Sequence, residues 1–233
     1  MELDLGIERG FGMRKNRFFA AIVTMGMLVA VLFTGCSAMD PDMKISVDGH
    51  EFSLDCTVQE ILDAGFDISE IDHESKIISK DNLPVIGSMI MDTTNYYLIS
   101  NGIACNVAFN VYNNSSSDLA LNECKVYQFK YDAGTYEEYA TKDIETPEVL
   151  LNGISCKFTD CGDTANSLID AGFKFKSSDI EAFDTDDMYS TSVISATGLG
   201  GHTLMLYHDY DYTESVVRMN GFDISIKLDY EIK

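Results

Sequence analysis

The sequence predicts an α+β protein built as a tandem of two small units, each a β-hairpin, a short helix and two or three further antiparallel strands. Three observations carry this expectation. The hexapeptide Ile61-Leu62-Asp63-Ala64-Gly65-Phe66 returns as Leu168-Ile169-Asp170-Ala171-Gly172-Phe173, with the Asp-Ala-Gly-Phe part identical. A turn dipeptide between apolar residues, Asp48-Gly49 or Asn152-Gly153, precedes each copy, and so does an Asp-Cys pair, Asp55-Cys56 or Asp160-Cys161. Hydrophobic residues make up 45% of the chain and aromatics 11%, which is enough to fill a core and excludes a disordered acidic tail.

Asn-Gly and Asp-Gly are strong hairpin signals, because both central residues of a type I′ turn need positive φ. Each unit therefore opens with a hairpin. In the first, Thr57-Val58-Gln59-Glu60 fits a capping box. The helix it starts puts Val58, Ile61 and Leu62 on one face. Gly65 takes the left-handed position after the last turn, and Phe66 folds back on Ile61. Val107, Phe109 and Val111 then alternate with polar residues as a strand. The loop Asn113 to Asp118 follows, and a further strand runs from Leu119 to Tyr131. The first unit has about nine more residues between helix and strands, placed around Ile77 to Met91, where Pro84 and Gly87 signal irregular backbone.

In the second unit Asp163 or Thr164 caps the helix, Gly172 stops it and Phe173 contacts Leu168. Leu204 to Tyr210 and Val216 to Tyr230 are its strands, joined around Asp211 to Ser215. The expected organisation is a leader over 1–35, a tether over 36–43, unit one over 44–134, a linker over 135–146 and unit two over 147–233. Two helical turns do not persist alone in water, so each helix must lay its apolar face on a sheet.

The leader is a targeting segment. Arg14, Lys15 and Arg17 form a positive cluster ahead of an uncharged run from Phe18 to Phe33, too short for the roughly 20 residues of a spanning helix. Met13 is the better start, since the acidic stretch before it is foreign to such a signal. Leu32-Phe33-Thr34-Gly35-Cys36 resembles the lipobox of bacterial lipoproteins, departing from it at Phe33, where that family usually has Leu. The resemblance implies cleavage before Cys36 and a diacylglyceryl, palmitate-type anchor on its thiol. It also implies an extracytoplasmic, lipid-anchored protein at the bacterial cell membrane. Two acyl chains suffice for stable anchoring without a basic patch.

The order of a hairpin, a helix ending in Gly and antiparallel strands is similar to that of the β-lactamase inhibitory protein and of small outer-membrane-assembly lipoproteins. The likeness covers layout only, and no inhibitory residue carries over.

Asp and Glu number 38 against 16 Lys and Arg, a net charge of −22 that repels nucleic acid. With Cys36 acylated, Cys56, Cys105, Cys124, Cys156 and Cys161 remain. Folding the chain back around Asn113 to Asp118 brings Cys105 near Cys124, one candidate disulfide. Cys156 and Cys161, close in sequence, form a second. The bland alternative is that several are small core residues. Cys56 and Cys161 precede helix N-termini, where a thiolate is stabilised, with His50 within reach of Cys56.

His202 and His208 stand about 20 Å apart on one strand, too far for one metal. Asp184, Asp186 and Asp187 begin like a calcium loop but lack its Gly and closing Glu. Gly198-Leu199-Gly200-Gly201 lacks the Lys of a phosphate loop. Nothing calls for a cofactor, a metal or a catalytic group. The expected function is non-catalytic binding of a protein or envelope partner through Tyr-rich sheet faces (Tyr127, Tyr131, Tyr207, Tyr210, Tyr212). The rival is small-ligand or cation binding in the cleft between units.

Overall fold

The computed structural model describes residues 42–71, 76–134, 146–175, 194–196, 202–211 and 216–226. Strands β1 (Lys44–Val47) and β2 (His50–Ser53) form a hairpin closed by Asp48-Gly49, with φ of 50° and 81°. Helix α1 (Val58–Asp63) follows, and its N-cap Thr57 makes the full capping box. The Thr57 N–H donates to Glu60 Oε2 at 2.6 Å, and the Glu60 N–H to Thr57 Oγ1 at 3.3 Å. Gly65, at φ 97°, stops the helix, and the Phe66 N–H reaches back to the Ile61 carbonyl at 3.4 Å. This is the terminator expected from the repeated hexapeptide.

Next come β3 (Asp67–Ser69), β4 (Val85–Ile86), β5 (Ile90–Ser100) and β6 (Ile103–Asn113). They are followed by β7 (Leu119–Ala120), a 3₁₀ turn at Leu121–Glu123 and β8 (Lys125–Asp132). Beyond Thr146 a second hairpin, β9 (Val149–Leu151) and β10 (Ile154–Ser155), turns at Asn152-Gly153 with φ of 48° and 79°. Helix α2 (Cys161–Asp170) ends at Gly172, φ 101°, with the Phe173 N–H on the Leu168 carbonyl at 3.0 Å. The last strands are β11 (Ile194–Ala196), β12 (His202–Asp211) and β13 (Val216–Ile226).

These strands make a small four-stranded antiparallel sheet, in the order β10-β9-β1-β2, a large seven-stranded one, in the order β11-β12-β13-β8-β6-β5-β3, and a two-stranded β4-β7 ribbon. Both of these larger assemblies, the four- and the seven-stranded sheet, draw on both halves of the sequence: β1 pairs with β9, and β8 with β13. The core is likewise a single cluster, including Ile45, Val47, Phe52, Phe109, Phe129, Leu204 and Phe222. Phe52 of the small sheet meets Phe129 of the large one at 6.5 Å between ring centroids. The helices close the flanks through Val58 and Ile61 of α1 and Ala165 and Leu168 of α2.

Two sequence expectations need correction, and one hairpin adds to them. The second helix is capped by Asp160, whose side chain accepts from the Asp163 N–H at 3.0 Å, so Asp163 and Thr164 lie inside the helix and Cys161 is its first residue. A long hairpin that the sequence reading did not resolve joins β5 to β6 through Asn101-Gly102, φ 50° and 81°. Finally, the loop after Asn113 does not fold one strand tightly onto the next, because β7 and the 3₁₀ turn intervene and β7 pairs with β4 instead. The β6–β8 register then sets Val107 opposite Tyr131, so Cys105 stands near Ala133. Cys124 lies roughly 30 Å away along the strand direction, and no disulfide can join the two.

Candidate functional site

The central strands of the seven-stranded sheet have one face in the core and one turned away from it. On β8 Phe129 and Tyr131 are buried inward, leaving Gln128, Lys130 and Asp132 on the second face. On β13 Phe222 and Ile224 go inward and Asp223 and Ser225 outward, and on β12 Leu204 and Leu206 go inward and Met205 and Tyr207 outward. Register joins these into a row across five strands: Tyr97, Ala108, Lys130, Asp223 and Met205. The methyl group of Ala108 leaves a low place between the longer side chains of Tyr97 and Lys130.

Asp223 is the chemical centre of this face. It is only 4% exposed although it belongs to the non-core side. Its carboxylate accepts from Gln128 Nε2 at 2.9 and 2.7 Å and, weakly, from the Tyr207 hydroxyl at 3.5 Å. Burial pushes its carboxyl above the ordinary carboxylate range, against the opposing pull of the Gln128 hydrogen bonds, the Lys130 charge and the Tyr207 hydroxyl. The same neighbourhood pushes Tyr207 up to about 12, through burial first and then the nearby Asp223 charge. Lys130 Nζ lies 5.7 Å from the Tyr207 ring centroid, a cation–π distance.

The backbone beneath is unusually close. A β-bulge falls between Tyr207 and His208, and a Cβ placed on Gly221 would sit 2.2 Å from the Tyr131 carbonyl oxygen. Only glycine fits there, and this contact lets β13 press against β8 two residues from Asp223. The result is a recessed carboxylate walled by an amide, a phenol, an ammonium and a thioether. Such a surface suits recognition, in which a donor or cation from a partner meets Asp223 while Tyr97, Met205 and Tyr207 supply apolar contact.

A second polar cluster ties α1 to the sheet. The Tyr112 hydroxyl donates to Asp55 Oδ1, and Lys125 Nζ lies 2.7 Å from Asp55 Oδ2. Burial works to raise the Asp55 carboxyl, but the hydrogen bonds from Lys125 and Tyr112 outweigh it and hold it below its usual value.

The residues singled out from sequence fall elsewhere. Arg14, Lys15, Arg17 and Cys36 lie outside the described residues, as do Asp184, Asp186, Asp187, Gly198 to Gly201 and Tyr212. Cys56, Cys105, Cys124, Cys156 and Cys161 are buried thiols, in no disulfide with one another. Burial drives Cys56, Cys156 and Cys161 up to about 12, and the carboxylates of Glu60 and Asp55 add to the effect at Cys56. Neither Cys56 nor Cys161 is thus poised as a thiolate, despite its helix terminus, and His50 packs edge-on against Phe66 at 5.6 Å.

Tyr127 and Tyr131 are buried and not presented; Tyr207, half-buried on the outer face, is the expected tyrosine that lines the site. Among the described residues no three His, Cys, Asp or Glu converge as a metal site, and no helix is long and apolar enough to cross a membrane. Asp223 and Gln128 escaped the sequence reading, since in Phe222-Asp223-Ile224-Ser225 the acid looks like any solvent-facing member of an alternating strand. Comparison with known proteins finds no matching family model, no matching characterised protein and no matching solved structure.

Proposed function

We propose that this is a lipid-anchored extracytoplasmic protein that acts by binding, without catalysis, a protein or envelope partner through the Asp223 face of its seven-stranded sheet. The observation that carries the binding reading is a carboxylate held almost out of solvent on the non-core side of a sheet and surrounded by interface-type side chains. The anchoring part rests on the lipobox-like Leu32 to Cys36. It is tested by mass spectrometry of the mature N-terminus: an acylated Cys36 is expected, and an unmodified chain running through Cys36 would reject it. The binding part is tested by capture from intact cells, with Lys130→Glu as the comparison variant. Recovery of one partner by the wild type and its loss in the variant is expected, and equal recovery by both would reject the face.

The same proposal includes the tandem origin of the two halves, supported by the registers that join them. Aligning the turns Asp48-Gly49 and Asn152-Gly153 makes Ser46 the counterpart of Leu150, and these two residues face each other across β1 and β9. The bond from the Asp48 N–H to the Glu148 carbonyl (2.8 Å) has its image in that from the Asn152 N–H to the Lys44 carbonyl (2.9 Å). The N-caps Thr57 and Asp160 bridge Lys125 and Arg218, which makes Lys130 the counterpart of Asp223, and these also face each other. A pseudo-two-fold axis through both pairs accounts for all four facts, and it places the Asp223 site on that axis.

A second reading, small-ligand binding where the halves meet, is favoured by one observation. A polar depression of about 260 Å³ lies over the β1–β9 junction, lined by Asp42, Lys44, Ser46, Glu51, Asn152 and Gly153. A ligand screen by thermal shift separates the readings, because a ligand held only by the native state must raise the melting temperature.

A further inference from the structure

We propose that Gln128 is the group through which a partner reads the Asp223 face, and that the matching group on the partner is a neutral N–H donor; this rests on the binding reading above and names the partner chemistry of the same site. Asp223 lies at the centre of the face but is only 4% exposed. Its charge reaches the surface through a neighbour. Gln128, half-buried on β8, stands on the same outer face, between Asn110 of β6 and Ser225 of β13.

Hydrogen bonding fixes which way the Gln128 amide points. The two ends of a glutamine amide have almost the same shape but opposite roles, and a carboxylate can only accept. Gln128 Nε2 lies 2.9 and 2.7 Å from the two Asp223 oxygens. Turned through half a circle, the amide would set Oε1 against both of them, acceptor against acceptor. Asp223 therefore locks Nε2 inward and Oε1 outward. The outward oxygen is also unclaimed. Asn110 spends its Nδ2 on the Thr94 carbonyl at 2.7 Å and on Asn95 Oδ1 at 3.0 Å, and among the described residues no group donates to Gln128 Oε1. Nor is that oxygen sealed in, since the one buried side-chain nitrogen or oxygen without a partner, among the described residues, is Asn220 Oδ1.

Two effects make this oxygen a selective acceptor. Donating to a carboxylate polarises the amide and strengthens its carbonyl, as in any chain of hydrogen bonds. Lys130 stands two residues along the same face, roughly 7 Å away, with its Nζ 5.7 Å from the Tyr207 ring centroid. Its ammonium repels a second cation, which leaves a neutral donor, a peptide N–H or a side-chain amide, as the class that fits. Gln128 thus determines specificity, and Asp223 behind it is a positioning residue.

The chain has only two glutamines, Gln59 and Gln128. Labelling glutamine with nitrogen-15 in the full-length acylated protein therefore resolves two side-chain amides by nuclear magnetic resonance. Gln59 is the reference, since it is engaged away from this face by Asp63 (2.8 Å) and Asn122 (2.9 Å). At neutral pH the Gln128 amide should exchange with water roughly tenfold more slowly in the wild type than in Asp223→Asn, with Gln59 unchanged. Partner capture is then read in intact cells from a photoreactive amino acid at Met205, in wild-type, Asp223→Asn and Gln128→Ala backgrounds. A single adduct that falls roughly tenfold in both variants is expected. Equal Gln128 exchange in the wild type and Asp223→Asn would overturn the proposal. So would an adduct that persists in Gln128→Ala, because that change uncovers Asp223 and the partner would then be meeting the carboxylate directly. Both outcomes leave the binding reading standing, whereas no adduct in the wild type would overturn that reading and the proposal with it.

Discussion

Gly221→Ala tests the seam on which the candidate site is built. The added methyl would lie 2.2 Å from the Tyr131 carbonyl oxygen, 3.1 Å from its carbon and 3.2 Å from Asp132 Cα, all backbone atoms that no rotamer change can move aside. Ordinary contact between such atoms begins near 3.5 Å, so β8 and β13 must part by about 1 Å at the ladder that unites the two halves. Overpacking of this kind costs about 3 kcal/mol, the upper part of its usual range. For a body of this size that is a melting temperature lower by roughly 6–12 °C.

The assay is thermal and urea denaturation followed by circular dichroism. Gly49→Ala serves as comparator, because a Cβ there meets nothing within 4 Å and only the φ of 81° penalises it, by about 1 kcal/mol. If Gly221→Ala melts no lower than Gly49→Ala, the strands are not in the close contact described and the reasoning fails.

Three other outcomes follow from the same contacts. Because burial raises the Asp223 carboxyl in the folded state, the native protein holds that proton more tightly than the unfolded chain does. Stability is therefore lost as pH rises from the ordinary carboxylate value, about 3.9, through the raised native one. Asp223→Asn should be more stable than wild type at neutral pH, with the difference vanishing below about pH 4, and parallel pH–stability curves would refute it. The thiols of Cys56, Cys156 and Cys161, pushed up to about 12, should alkylate on the order of a hundredfold more slowly in native than in denatured protein. Equal rates in a labelling time course would contradict that. Thr57→Ala removes one half of the capping box and should cost about 1 kcal/mol in urea denaturation, with the m-value unchanged.

What was legible in the sequence was local. The Asp48-Gly49 and Asn152-Gly153 turns, the Thr57 cap and the Gly65-Phe66 and Gly172-Phe173 terminators each depend on a few consecutive residues, and each stands where its signal put it. Asn101-Gly102 carried the same signal and was equally readable. What was not legible depended on which strand lies beside which. The β4–β7 ribbon consumes residues that would otherwise close a hairpin, and this alone moved Cys105 and Cys124 apart. Asp223 becomes distinctive only once β13 lies against β8 and Gln128 reaches across from a strand distant in sequence. Tyr131 failed as a surface anchor for a related reason: its parity along β8 turns it toward Phe222 in the core, 5.6 Å between ring centroids.

The central claim is that the Asp223 face meets a partner. It is tested most directly by placing a photoreactive amino acid at Tyr97 or Met205 on that face, and at Glu51 on the small sheet, in the protein as cells make it. A crosslinked adduct of one discrete mass is expected from Tyr97 and Met205, absent when Lys130→Glu sets a second acid beside Asp223. Adducts from the Glu51 position alone, or none from either face position, would contradict it.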